Sequence, residues 1–554
     1  MRTLYRAAAV HPGTDVATGP GEGVADAVLV DGDRVAWVGR AAALDADAAE
    51  RTVHLPGTQL APAFVDAHAH VTETGLLLRG ADLRDARTVT EILDRVAAVA
   101  AADGDGPVLG HGWDDTLLAE RRPPTAAELQ RAAPGRAVYL SRVDVHSAVV
   151  SPALVAACGA DRLDGYDPDG RVERDAHHAA RDHTRAALAP PARRAAQLAA
   201  LRSAAAVGIA TVHEMSAPHL APDQDLRDLV ALAAGSPDGP ACSGGPGGPG
   251  GGLALPAVVA YYGQLVADVD QARDVVARLG VPLAGLAGDL CVDGSVGSRT
   301  AAWHDPYRDA DPSSADSTSA AARGHLYLTV EQVRDHVAAC TRAGLRAGFH
   351  VIGDAAVDTA RRGLRRAAEQ VGIAAVRSAR HRLEHVEGID AAGARDLADL
   401  RVTASVQPAF DARWGGDGGL YADRLGRERA LAMNPFATLA RAGVALALGS
   451  DSPVTPFDPW GAVRACADHH VPGERLDPAA AFAAHTVGGW RAAGSGDAGA
   501  GTLAVGAPAT FAVWDAGTLA PGRTLPGPEV RPRCVLTVRS GRVLHDAGAG
   551  VPSS

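Results

Sequence analysis

Between about residue 60 and residue 450, short apolar runs alternate with helical stretches rich in Ala, Leu and Arg. The runs include Leu60–Val65, Gly208–His213, Leu283–Val292, Gly344–His350, His381–His385, Val402–Val406 and Val444–Leu448, with helical patterns such as Val330–Ala343 and Ala355–Gly372 between them. A strand followed by a helix, repeated, builds parallel sheet. At this length the natural solution is an α/β fold with a closed (β/α)8, TIM-type barrel. Hydrophobic residues make up 47% of the chain and charged residues 21%, enough apolar matter for a large core and too little charge for wholesale disorder.

Both ends of the chain read differently. Ala25 to Gly39 carries two apolar runs around Asp31-Gly32-Asp33, a hairpin pattern. Thr510 to Asp515 and Cys534 to Leu544 alternate in the same way, the latter around Ser540-Gly541. We therefore expect residues 1–60 and 495–554 to form one small composite β-sandwich domain. Residues 61–494 would hold the barrel, with an inserted α+β subdomain at about 72–200, a stretch too long for one loop between strand and helix. Ser236 to Gly252 is Gly/Pro-rich and Asp309 to Ala322 is small and polar, so both read as flexible loops.

The net charge of −12, without a basic run, argues against nucleic acid or an anionic membrane as partner. No stretch reaches the roughly eighteen apolar residues needed to span a bilayer. The scattered cysteines Cys158, Cys242, Cys291, Cys340, Cys466 and Cys534 fit reduced thiols, so a cytoplasmic protein acting on a small molecule is expected. A homodimer is compatible with the sequence. Walker-type phosphate loops and a Rossmann fingerprint are absent from it.

The chemistry concentrates at the ends of the apolar runs. His68 and His70 stand two apart at the end of one, so their imidazoles share a face. His350, His385 and Asp451 each close a later run. In a barrel such ends converge on the face that carries active sites. Imidazoles with a carboxylate suit a divalent cation, zinc first, with manganese, iron or cobalt also accepted by such donors.

The segments PAFVDAHAH at 62–70, GWDD at 112–115, SRVDVHSAVVSPAL at 141–154, GIATVHE at 208–214, DGSVGSRTAAW at 293–303, HVIGDAAVD at 350–358, HRLEHVEG at 381–388, SVQP at 405–408 and GSDSPV at 449–454 resemble the amidohydrolase superfamily. Within it they are similar to the amidohydrolase-3, YtcJ-like branch, which includes N-substituted formamide deformylase. The resemblance runs from about residue 24 to the C-terminus. It implies a barrel with a composite β domain and metal at the barrel mouth. It also implies that His68, His70, His350, His385 and Asp451 stand on metal and catalytic positions.

Many such sites bridge two metals through a carbamylated lysine. This chain contains no lysine: all 53 basic residues are arginine. Asp289 stands where the branch often has a lysine. Three arrangements are open. One metal could sit on His68, His70, His350 and Asp451, the preferred case; two metals could bind with help from Asp289; or Asp289 could orient a histidine. In the first case His385 would contact the activated water or the substrate oxygen.

The reaction so implied is hydrolysis of a non-peptide C–N bond, of amide or formamide type, with Asp451 as general base. The alternatives are a deaminase of a small heterocycle and an inactive barrel serving as a binding or scaffold protein. Ser295, Ser298 and Arg299 could line the substrate pocket, Arg299 holding a carboxylate. Trp113, Asp114 and His146 could wall it, although packing is the simpler role, and Gln407 could donate to the substrate. Glu214 reads as a partner of a ligand or a rim residue and Cys291 as a buried thiol. His177, His178, His469 and His470 read as helix-face or loop residues.

Overall fold

The computed structural model describes residues 2–13, 24–45, 47–102, 106–235, 254–310, 320–495, 499–517, 523–527 and 529–548. The stretch 236–252, residues 311–319 and Cys242, all read above from the sequence, lie outside the described residues.

Eight parallel strands form the central sheet, in the order Phe64–Ala69, Ile209–Ser216, Ala257–Tyr262, Gly285–Leu286, Arg346–Val351, Arg382–His385, Thr403–Val406 and Ala445–Leu448. The strand at Ala257–Tyr262 was not among the apolar runs singled out above. The run Leu283–Val292 contributes only two strand residues and a bridge from Cys291 to His350. The first and last strands meet just beyond their ends. Asp451 N donates to the His68 carbonyl and His70 N to the Ser452 carbonyl, both at 2.8 Å. The seam of the barrel thus runs through three of the residues singled out as site residues.

Every residue of Phe64–Ala69 and of Ile209–Ser216 is buried, as a strand covered by helices outside and side chains inside must be. Helices such as Val330–Ala343 and Asp354–Val371 pack their apolar faces on that sheet.

The termini build one continuous sheet of seven strands. It runs from Arg542–Asp546 through Arg533–Arg539, Phe511–Asp515, Arg51–Pro62, Arg2–Val10 and Ala27–Asp31 to Arg34–Gly39. Its ends approach the segment after Leu503: Val35 N donates to the Ala507 carbonyl and Gly541 N to the Ala509 carbonyl. The sheet therefore wraps a shared core containing Val28, Val53, Phe511 and Leu536. Where it meets the barrel, Phe64 touches Trp460, Phe482 and Trp514 edge-on. Gly208, at φ 81°, must be glycine, because a Cβ there would stand 2.2 Å from the Trp514 ring.

Between the first and second barrel strands lies a mixed sheet of five strands, ordered Arg171–Glu173, Ser147–Val150, Val138–Arg142, Val108–Trp113 and Ala81–Asp82. Arg142 ties this layer to the barrel. Its guanidinium donates to Asp144 at 2.9 Å, and the same Asp144 oxygen accepts from Ser295 and Ser298 at 3.1 and 2.8 Å. Among the described residues no helix is long and apolar enough to cross a membrane.

Two buried histidines splice helix Val330–Ala343 to the strands beneath it. His336 Nδ1 accepts from Val266 N and its Nε2 donates to the Leu286 carbonyl. His381 Nδ1 accepts from Ala347 N. Each needs one nitrogen bare, so protonation breaks a bond. Burial pushes His336 down to about 4 from an ordinary 6.5, and His381 down to about 3. The unfolded chain takes up these protons first, so their contribution is complete above pH 6.5 and is lost as pH falls toward 4. Urea midpoints should drop across that window, and His336→Gln should flatten the drop; parallel curves would remove His336 from this role.

Candidate metal centre

Five of the expected residues converge at the strand ends. His68 Nε2 lies 3.4 Å from Asp289 Oδ1 and 3.5 Å from Asp451 Oδ1. His70 Nε2 lies 3.2 Å from Asp289 Oδ2 and 3.3 Å from Asp451 Oδ1. Two groups have ligand atoms mutually within 4.8 Å: His68, His70 and Asp451, and His68, Asp289 and His385. His68 belongs to both. His350 joins neither; its ring centroid is 4.4 Å from that of His385, and its Nδ1 is 3.6 Å from Asp293 Oδ1.

The backbone is bent to achieve this. Side chains of adjacent strand residues point to opposite faces, so Glu384 and His385 could not both serve one centre on a regular strand. His385 has φ 70° and Val386 φ 53°, and Asp451 has φ 53°. Left-handed backbone at non-glycine residues is costly and collects at functional sites.

A support layer that the sequence reading missed lies beneath. His68 Nδ1 donates to Glu384 Oε2 at 2.9 Å. Arg382 holds that carboxylate with two bonds, at 2.5 and 2.8 Å, and donates to the Ala67 carbonyl at 2.7 Å. Its guanidinium lies 4.5 Å from the Tyr261 ring centroid. The pattern HRLEH held the signal, since Arg382 and Glu384 are two apart on a strand and share its inward face. Asp66 also supports the seam, accepting from the backbone N of His68 and Ser450.

The electrostatics ask for a cation. Three carboxylates touch the His68 ring, those of Asp289, Glu384 and Asp451, and only Glu384 is matched by a guanidinium. Burial opposes a charge on His68, yet the neighbouring carboxylates of Asp451, Asp289 and Glu384 outweigh it and push its pKa up to about 10. Burial likewise opposes charge on Asp289, but His70 and His68 hold it well below the carboxylate range. With both imidazoles neutral, as ligation requires, the carboxylates of Asp289 and Asp451 leave two negative charges, which a divalent cation would neutralise in place of the ring protons. His68 Nε2 and Asp289 Oδ1 are buried and make no hydrogen bond, as atoms placed to ligate an ion would be. The donor set of imidazole nitrogens and carboxylate oxygens fits zinc and its neighbours.

His385 Nδ1 is 2.7 Å from Gln407 Oε1. With that oxygen accepting, Nδ1 carries the proton and Nε2 presents a lone pair. Gln407 therefore supports a centre residue and does not line the cavity. Burial lowers His385 to about 3, so its ring is neutral.

Two cavities meet at His70 and Asp289. One also holds His146, His350, His385 and Asp451 against a wall of Phe410, Trp414 and Tyr421. The other, the larger, extends into the inserted layer. Ser295 lines the first, while Ser298 acts through Asp144. Trp113 is buried and donates to the Leu140 carbonyl, within the core of the insert. Arg299 is paired with Asp309 at 2.7 Å and lines neither cavity. Asp114 pairs with Arg142. Glu214 Oε2 accepts from Val71 N, and burial raises its carboxyl to about 7. Cys291 is half-buried. His178 and His470 are exposed, whereas His177 and His469 are buried.

The amidohydrolase family model matches residues 51–545. The chain belongs to the amidohydrolase family. It is thus a hydrolase of a family whose members depend on metal. It is 26% identical over 500 residues to Protein LONG AFTER FAR-RED 3 of Arabidopsis thaliana, covering 85% of this chain and 80% of that one. It is 24% identical to YtcJ of Bacillus subtilis, named as an amidohydrolase, over 74% of this chain and 73% of that protein. N-substituted formamide deformylase of Arthrobacter pascens is 28% identical over 163 residues, 27% of this chain and 29% of that one. A metal-dependent hydrolase from Pyrococcus furiosus shares the fold, with a TM-score of 0.68 at 23% identity, covering 93% of this chain and 99% of that one.

Glu384→Gln should weaken divalent-metal binding by about 10–100-fold, because the group that orients His68 loses its charge. Competition with a chromogenic chelator reads this directly; unchanged affinity would show that Glu384 does not tune the centre.

Proposed function

We propose that the protein hydrolyses a non-peptide C–N bond, of amide or formamide type, in a small organic substrate. The observation that carries this reading is the convergence of His68, His70, Asp289, His385 and Asp451, with two carboxylates that no guanidinium matches, where two cavities join. The similarity to an N-substituted formamide deformylase supports the bond type.

His68, His70, Asp451, Asp289 and His385 would hold the cation, zinc being the first choice. When bound, a divalent cation supplies the acidity that makes water nucleophilic near neutral pH and polarises a carbonyl oxygen. Asp451 is held ionised: burial opposes its charge, but His68 and its neighbours lower it. Its carboxylate takes a proton from the attacking water and returns it to the departing nitrogen. His385, its Nδ1 proton committed to Gln407, acts through its Nε2 lone pair. His350 faces the same cavity and is assigned to the substrate oxygen. The aromatic wall of Phe410, Trp414 and Tyr421 excludes water and packs an apolar substituent. Asp289 takes the place of a bridging lysine by lying against both His68 and His70.

Elemental analysis of the purified protein should find stoichiometric divalent metal. A screen of N-formyl and N-acyl compounds should then yield an acid and an amine. Asp451→Asn should lower kcat by about 100–10,000-fold, the usual worth of a general base. Metal-free protein after reconstitution, or an Asp451→Asn variant with full activity, would overturn the assignment. Ammonia released from a ring would mark a deaminase instead.

A further inference from the structure

The larger cavity leads away from His70 and Asp289 into the inserted layer, and its chemistry is unlike that of the aromatic pocket. Its walls are largely apolar, with Leu76, Leu77, Leu109, Leu188 and Leu220 among them. Two arginines interrupt them. Arg181 and Arg185 stand one turn apart on helix Arg174–Ala186, Arg181 buried with Ala180 and Thr184 and Arg185 at the edge of that face. A long cation is out of place on such a face unless something binds it.

Their partners do not satisfy them. Arg185 Nε donates to Glu73 Oε1 at 2.8 Å, but its Nη1 is buried without a hydrogen bond. The Arg181 side chain is only 8% exposed. One of its terminal nitrogens donates to the His219 carbonyl. Its Nε makes no hydrogen bond; the nearest carboxylate, that of the exposed Asp182, is 3.6 Å away. Within the cavity two guanidiniums therefore face one carboxylate, Glu73, until the acidic centre at the other end. Like charges one helical turn apart repel, and buried donors without acceptors are costly. Burial and the neighbouring Arg185 both push the Arg181 pKa down, the same imbalance in another form.

We propose that Arg181 and Arg185 form the docking site for an anionic end of the substrate, a carboxylate in the first instance, whose apolar body fills this cavity while its C–N bond lies at the metal centre. A planar carboxylate matches the guanidinium fork, and both arginines line the cavity. The role that the sequence suggested for Arg299 thus passes to these two residues, Arg299 being committed to Asp309. The inference rests on the hydrolase reading only for what happens at the centre; the docking site stands on the cavity itself.

The test uses a matched pair of probes on the metal-loaded full chain: N-hexylformamide, and the same molecule with a carboxylate in place of its terminal methyl. Wild type should favour the carboxylate probe in kcat/KM by about tenfold or more, carried in KM, and Arg181→Met should erase that preference while leaving N-hexylformamide within about twofold. Arg181→Lys, which keeps the charge but loses the fork, should retain part of the preference and serves if the Met variant does not fold. Equal kinetics for the two probes in wild type would overturn the proposal, as would an Arg181→Met variant that slows both alike. If neither probe is turned over, the formamide reading falls separately and calorimetric binding decides the docking site. Tighter binding of the carboxylate probe, lost in Arg181→Met, supports it; equal binding of both refutes it.

Discussion

One buried ion pair underlies the centre. Arg382 and Glu384 lie two residues apart on a barrel strand, point into the same closed interior and are fully shielded from water. Such a pair is a poor source of net stability, but removing one partner strands the other at about 3–5 kcal/mol. Here it has a further consequence. Glu384 accepts a hydrogen bond from His68 Nδ1, which fixes the tautomer of the neutral ring and aims Nε2 at Asp289 and Asp451. Arg382 reaches across to the Ala67 carbonyl, one residue before His68, and to His213 Nδ1 on the next strand. Three strands are thus locked around one imidazole.

The seam of the barrel adds a second constraint. The two ends of a sheet that closes on itself must meet in register, and they meet here through the backbone of His68, His70, Asp451 and Ser452. Fold and site share the same hydrogen bonds, so the left-handed conformation of Asp451 is held by the closure itself.

Much of this was legible in the chain. Apolar runs ending in His or Asp gave the strands and the converging residues, because a parallel barrel puts all strand ends on one face. His68, His70, His385 and Asp451 follow from that rule, and Asp289 from its place in a motif. What escaped is of another kind. Ala257–Tyr262 is a short run beside a Gly/Pro-rich stretch, and its pairing is decided by neighbours distant in sequence. Glu384 stands next to His385, where a regular strand would turn it to the other face; only the positive φ at His385 lets both face inward. Gln407 read as a substrate donor because a motif marks position, not direction; in the structure it props a histidine, while Trp113 packs, the simpler of the two roles open to it. Arg181 and Arg185 look like ordinary solvated helix residues until the helix is seen from its buried side.

The aspartate at position 289 has a consequence beyond geometry. A lysine becomes a bridging ligand only after capturing dissolved carbon dioxide, which ties assembly of such a centre to the surrounding gas and bicarbonate. With a carboxylate already encoded at this place, and no lysine anywhere in the chain, the centre described here is complete once the protein has folded and met its ion. No lysine carbamate, and so no captured carbon dioxide, enters its assembly.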